Sequence, residues 1–178
     1  MTNGELRSLI RTVPDFPAAG IQFRDITTLL ADPAGLRAAV EGLAGLVDEG
    51  AVDAVAGMEA RGFIFGTALA LRLGTGFIPL RKPGKLPVDT IGEDYALEYG
   101  QARLELDPTL VENGARILLV DDLLATGGTA LAGARLLRRA GAQVDRAVFV
   151  IDLPELGGSG VLAEEGIACA SLIRFDGH

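Results

Sequence analysis

One uninterrupted string carries the densest chemistry of the sequence: Ile117-Leu118-Leu119-Val120-Asp121-Asp122-Leu123-Leu124-Ala125-Thr126-Gly127-Gly128-Thr129. Its apolar start has the composition of a buried strand. Two adjacent carboxylates end that run, a loop of small residues follows, and a helix begins. Successive main-chain N–H groups in such a turn, at a helix N-terminus, form a cradle for an anion. Gly127 and Gly128 let the backbone approach a phosphate closely. Thr126 and Thr129 add hydroxyl donors. The loop contains no lysine, so it is not the GxxxxGK[ST] loop of nucleoside triphosphatases. Two carboxylates just ahead of a phosphate cradle suit the vicinal hydroxyls of a ribose. A lone Gly-Gly turn would be read as a helix cap; the whole string is more than that.

Other chemistries are excluded by what the chain lacks. It has one histidine, His178, and one cysteine, Cys169. That leaves no Ser-His-Asp or Cys-His machine, no zinc site of His and Cys, and no internal disulfide. A metal here is expected to be a hard cation held by oxygens. Cys169 lies in an apolar run and reads as a small buried residue. The net charge of −8 is opposite in sign to that of a protein that coats nucleic acid. No basic-then-apolar leader opens the chain, and no apolar run approaches the roughly 20 residues that span a bilayer. The expectation is a soluble cytoplasmic protein with no membrane or nucleic-acid partner.

The elements that position these residues follow from length and periodicity. At 178 residues with 49% apolar and 22% charged, the chain is expected to form one globular domain. Helices are predicted over 4–12, stopped by Pro14, then from Pro33 after the Asp32 N-cap, over 63–73, over 129–140 and over 154–165. Leu36, Ala39, Val40, Leu43, Leu46 and Val47 form the buried face of the second, with Gly50 as its cap. Strands are predicted over 52–56, 76–80, 117–120, 147–151 and 167–173, and 14–20 reads as irregular. Continuous apolar strands alternating with helices indicate an α/β fold with a central, mostly parallel sheet flanked by helices. Ligands in such folds bind at the carboxyl ends of the strands. The stretch 81–99, with two prolines, two glycines and many charges, reads as a lid or active-site loop. Gly158-Ser159-Gly160 to Ala163 mimics a dinucleotide fingerprint, but too few residues follow for the βαβ unit that this motif needs.

The Asp121–Thr129 string resembles the signature of the type I phosphoribosyltransferases, and its wording is similar to that of their adenine-using members. Three more stretches match that branch in order: Pro14-Asp-Phe-Pro-Ala-Ala-Gly-Ile-Gln22-Phe23-Arg24-Asp-Ile, Glu59-Ala-Arg61-Gly-Phe-Ile-Phe-Gly66, and Arg81-Lys82-Pro-Gly-Lys85-Leu-Pro with Tyr95-Ala-Leu-Glu98-Tyr99-Gly100. Pro154–Gly158 matches a further family stretch, although Ser159-Gly160 stand where many members carry charges.

The resemblance implies transfer of a phosphoribosyl group from phosphoribosyl pyrophosphate to adenine, giving AMP and pyrophosphate. It implies a type I phosphoribosyltransferase fold with an N-terminal hood, about 1–30, over the base site and a flexible active-site loop, about 81–100. Asp121 and Asp122 would hold the ribose, and Ala125, Thr126, Gly127, Gly128 and Thr129 the 5′-phosphate. Arg61, Arg81, Lys82 and Lys85 would face pyrophosphate. Gln22, through its main chain, Phe23, Arg24 and Leu123 would surround the base. Glu98 would act near its imidazole edge, and Tyr99 would support the loop. Mg²⁺ would be held mainly by substrate oxygens and water, and the chain would form a homodimer. The alternatives are the same reaction on hypoxanthine or guanine, or a non-catalytic regulator that senses phosphoribosyl pyrophosphate.

Overall fold

A computed structural model of the chain describes residues 1–48, 50–97 and 100–177. In chain order the elements are α1 (Asn3–Ser8), β1 (Arg11–Pro14), β2 (Gln22–Asp25), α2 (Thr27–Ala31), α3 (Pro33–Ala44), β3 (Ala54–Met58), α4 (Arg61–Leu73) and β4 (Gly76–Leu80). They continue with β5 (Ile91–Leu97), β6 (Gly100–Leu106), β7 (Ile117–Leu124), α5 (Gly128–Arg139), β8 (Arg146–Asp152), α6 (Gly158–Glu164) and β9 (Ala168–Arg174). Short 3-10 turns cover Pro108–Leu110 and Pro154–Leu156.

The main sheet has five strands in the order β4-β3-β7-β8-β9, and every neighbouring pair is parallel. The central stretches of its strands are apolar because both faces are covered, and charged residues such as Asp121, Asp122, Asp152 and Arg174 sit toward the carboxyl ends. Leu118, Val120, Val148 and Val150 pack with Leu29, Leu43, Phe65 and Leu69 on the side of α2, α3 and α4. Ile117, Leu119, Ala147 and Phe149 pack with Ala134, Leu137 and Leu162 on the side of α5 and α6. The α/β expectation therefore holds, with β7 as the middle strand.

Two antiparallel pairs stand outside this sheet: β1 with β2, and β5 with β6. Both correct the sequence reading. The first helix ends at Ser8 rather than running to residue 12, and Arg11–Pro14 forms a strand against Gln22–Asp25. The stretch 81–99 is not irregular throughout. From Ile91 it is a strand whose Ile91 and Tyr95 pack with buried Leu104 and Leu106 against the α5 core.

Smaller differences sit at the ends of elements. Helix α3 stops at Ala44 on Gly45, short of Gly50. The segment 154–165 is a 3-10 turn followed by α6, because Gly157 takes φ +76° between them. Strand β7 runs past Val120 to Leu124 and so contains the acidic pair.

Candidate active site

The site grows from the carboxyl end of β7. Asp122 is buried, and its main-chain N–H donates to Asp121 Oδ1 at 2.9 Å. Arg61, the first residue of α4, brings its Nε to 2.7 Å from Asp122 Oδ2. That oxygen accepts no aligned hydrogen bond, so the contact is an ion pair. Burial and the neighbouring Asp122 charge push the Asp121 carboxyl well above the usual carboxylate range. Burial also raises Asp122, against the pull of Arg61.

Gly62 allows this approach. A Cβ there would lie 2.9 Å from Asp121 Oδ1 and 3.0 Å from Val120 O. Any side chain would therefore hold the start of α4, and Arg61 with it, away from β7.

Beyond Leu124 the chain turns through Ala125–Gly127 into α5. Gly127, with φ +84°, is the N-cap, and no side chain caps the helix. The free N–H groups of its first turn face a cavity of about 200 Å³ lined by Arg61, Asp121, Asp122 and residues 123–130. The turn is braced from behind. Gly158 N donates to Ala125 O at 3.0 Å, and a Cβ on Gly158 would lie 2.3 Å from that oxygen. A Cβ on Gly127 would lie 2.9 Å from Gly158 O. The stretch that mimicked a dinucleotide fingerprint is thus the backing of this loop.

The N-terminal hairpin reaches Arg61 at the edge of this cavity. The Phe23 ring stands edge-on to Phe16, with centroids 5.1 Å apart, and the Arg61 guanidinium lies 5.7 Å over it. Phe23, Arg61 and Asp122 thereby form one continuous chain of contacts. Gln22 is half-buried on β2, opposite Pro14, which has no N–H to give to the ladder. Leu123 packs against the α1–α4 side of the core. Arg24 is not at this face. It is buried and turned to the other side of the hairpin, where it bonds Thr12 and the carbonyls of Asp176 and Gly177. Its side chain therefore faces away from the Phe23 ring, because successive residues of a strand point to opposite faces, while its main chain stays next to Phe23 on β2.

The remaining cations are held apart from the acidic pair. Arg81 Nε donates to Glu59 Oε2 at 3.1 Å, and Lys82 N donates to the same oxygen at 2.9 Å. The Arg81 bond leads the causes that hold the Glu59 carboxyl below its usual value. Lys82 and Lys85 are exposed. Glu98 and Tyr99 lie outside the described residues. The strand leading to them is seated on the loop, because a Cβ on Gly128 would sit 3.4 Å from Ala96 O. Arg139 on α5 fixes that strand by bonding Glu93 at 2.7 Å and the carbonyl of Gly92.

Sequence reasoning missed Phe16, Glu59 and Gly158 as parts of the site. All three lie in stretches that carried the family resemblance, but none of those stretches gave them a role of their own. A larger hollow of about 950 Å³ between α1 and α3 contains none of the candidate site residues. Cys169 is half-buried in β9, and burial is the main cause that pushes its thiol up to about 11.

Comparison with known proteins decides what this arrangement belongs to. Residues 25–159 match the family model described as a phosphoribosyl transferase domain. The chain belongs to the phosphoribosyltransferase family. Among curated members, the adenine phosphoribosyltransferase of Erythrobacter litoralis is 63% identical over 178 residues, with all of both chains covered. The crystal structure of adenine phosphoribosyltransferase from Thermoanaerobacter pseudethanolicus superposes with a TM-score of 0.93 at 46% identity. It covers 98% of this chain and 100% of that one. The Saccharomyces cerevisiae enzyme, crystallised with an iminoalditol bisphosphate and adenine, gives 0.88 at 32% identity, covering 96% and 98%. The phosphoribosyltransferase resemblance read from Asp121–Thr129 and the three companion stretches is thus confirmed, as is the fold it implied.

Proposed function

We propose that this chain makes AMP and pyrophosphate from adenine and phosphoribosyl pyrophosphate, a purine salvage reaction. One observation carries the reading. The guanidinium of Arg61 links the ring of Phe23 to the carboxylate of Asp122, and Arg61 and Asp122 line one cavity with the uncapped start of α5, which supports a base beside Phe23 and a ribose 5-phosphate between the acidic pair and that helix start. The relatives named adenine phosphoribosyltransferase support it, and the yeast enzyme's adenine supports the base.

The chemistry then follows from positions. The 5′-phosphate takes the N–H groups and hydroxyls of Ala125–Thr129. Asp121 and Asp122 accept from the ribose hydroxyls and fix the ring as C1′ gains oxocarbenium character. A partial positive charge there is stabilised by the two carboxylates, and the departing pyrophosphate by Arg61 with Arg81, Lys82 and Lys85. Adenine stacks on Phe23, and main-chain groups at Gln22 read its edge, with Leu123 as an apolar neighbour. Glu98 holds or shares the proton on the imidazole side, and Tyr99 supports the active-site loop. Positioning supplies most of the acceleration.

Mg²⁺ is part of the proposal. The residues present fit a hydrated cation held by the substrate: the carboxylates of Asp121 and Asp122 stand beside the place assigned to the ribose, and Asp122 Oδ2 is already paired with Arg61 at 2.7 Å. When bound through substrate oxygens and water, Mg²⁺ neutralises pyrophosphate charge.

The proposed assembly is a homodimer. Ile64 and Leu71 lie seven residues apart on one face of α4 and are 41% and 79% exposed, an apolar stripe suited to a second copy. Leu71→Asp is expected to shift the chain to a monomer in analytical ultracentrifugation. The proposed setting is the cytoplasm. No helix among the described residues is long and apolar enough to cross a membrane.

The deciding experiment offers adenine, hypoxanthine and guanine separately with Mg²⁺ and phosphoribosyl pyrophosphate. AMP alone is expected. IMP or GMP instead would discard the base assignment. Tight binding of phosphoribosyl pyrophosphate with no product would favour the regulator.

A further inference from the structure

We propose that the carboxy-terminal segment Phe175–Gly177 is a latch on the base-stacking hairpin, and that Arg24 is the positioning residue through which it acts. The inference rests on the base-binding role proposed for the Phe23 face of that hairpin.

Arg24 sits next to Phe23 on β2 but points to the opposite side, where it is only 8% exposed. Its Nη1 donates to Thr12 Oγ1 on β1 at 2.7 Å. Its Nη2 donates to the main-chain oxygens of Asp176 and Gly177, each at 3.2 Å, across some 150 residues of sequence. Its guanidinium carbon lies 4.6 Å over the ring of Phe175, and that of Arg7 on α1 lies 4.4 Å over the same ring. Phe175 N in turn donates to Asp152 O at 3.0 Å, which ties the segment to the end of β8. The hairpin is therefore fastened to the main sheet through Arg24, the tail carbonyls and Phe175.

The energetics of a buried cation make the fastening directional. Among the described residues no carboxylate pairs with Arg24, and its Nε has no hydrogen-bond partner. The charge is compensated by one hydroxyl, two tail carbonyls and a ring face. A buried charge is tolerated only while such partners are present. Arg7, a second cation over the same ring, adds repulsion that those acceptors must offset. Without the tail, Arg24 has to move toward water, and β2 moves with it. Phe23 and the main chain of Gln22 lie on that strand, so the loss falls on base binding. The phosphate cradle, built on β7, α5 and α6, is unaffected.

The test compares the full chain with a chain ending at Phe175 as a carboxamide, which adds no new carboxylate beside Arg24, with Arg24→Ala, with Arg24→Lys, and with the truncation and Arg24→Ala combined. The latch predicts that the truncation and Arg24→Ala each raise the KM for adenine about tenfold, because small misplacements of a binding face are costly. The KM for phosphoribosyl pyrophosphate stays within about twofold. The combined variant loses no more than either alone, as for two partners in one contact. Arg24→Lys, which keeps the charge and donors to the tail, recovers part of the loss. Equal rises in both KM values, additive losses, or an unchanged adenine KM in the truncated chain would overturn the latch.

Amide hydrogen exchange over 20–26 is measured in the same samples without substrate. It is expected to quicken on truncation, and no change there also refutes the latch. That readout is independent of activity. Failure of the unaltered chain to form AMP would therefore sink the adenine reading while the exchange result still decides the latch. Should Arg24→Ala not fold, the truncated chain decides alone.

Discussion

Asp121 and Asp25 are carboxylates of opposite character in one chain. Burial and the Asp122 charge raise Asp121, whereas hydrogen bonds from Thr27, and then from Arg11, lower Asp25 to about 2. A carboxyl whose pKa is raised by folding contributes stability below its unfolded value near 3.8, and that contribution is lost as pH climbs through the folded value. Asp121→Asn is therefore expected to raise the melting temperature at pH 7 and to give no gain at pH 3.5. It should also lower kcat/KM by about 100-fold through loss of the proposed ribose contact. A gain that is the same at both pH values would refute the electrostatic account. Asp25 runs the other way. Its contribution is present above about 3.8 and is lost as pH falls toward 2. Exchange of the β1–β2 amides is expected to quicken in that window, ahead of the β7 amides. Asp121 and Asp122 could be read as functional because two acids end an apolar run. The Arg24 partners could not, because nothing local in a sequence announces a bond to a carbonyl some 150 residues away.

Close approach of elements is enforced by glycines whose missing side chains leave room for neighbouring backbone. At Gly62 an added methyl would press on Asp121 and Val120. Gly62→Ala is expected to destabilise by about 1–3 kcal/mol, the usual penalty of overpacking, measured by urea denaturation. It should also lower kcat, since Arg61 is carried outward with the helix. At Gly127 a side chain would be strained twice, by the left-handed φ of +84° and by its approach to Gly158 O.

The main-sheet strands were readable because burial on both faces makes them continuously apolar. The arm β5–β6 was not, because Glu93 and Asp94 beside Gly92 look like a loop. Its real signal was weaker: Ile91 and Tyr95 on one strand and Leu104 and Leu106 on the other, at spacings that keep each pair on one face. Strand β1 had less still. It is four largely exposed residues ending in a proline, and it exists because β2 pairs with it.

Across the whole molecule one run of contacts joins parts far apart in sequence: the hairpin near residue 23 touches the start of α4 near 61, which lines one cavity with the middle strand near 121 and the turn into α5. A ligand that touches all of them couples their stabilities by mass action, whereas one that touches a single part does not distinguish them. AMP at about 100 times its Kd is expected to stabilise the folded chain by about 2.7 kcal/mol, which for a chain of this size is a rise in melting temperature of roughly 5–10 °C. At the same concentration IMP should give a clearly smaller shift, because on the proposed base assignment a 6-oxo group would mispair with the main-chain groups that meet the adenine amine. Ribose 5-phosphate should shift the melting point without regard to the base. Gly127→Ala should abolish that shift while leaving any effect of free adenine, since the variant distorts the cradle and not the hairpin. Equal shifts from AMP and IMP would remove the adenine-specific role from the Gln22–Phe23 strand. A ribose 5-phosphate shift that survives Gly127→Ala would place the phosphate somewhere other than the start of α5.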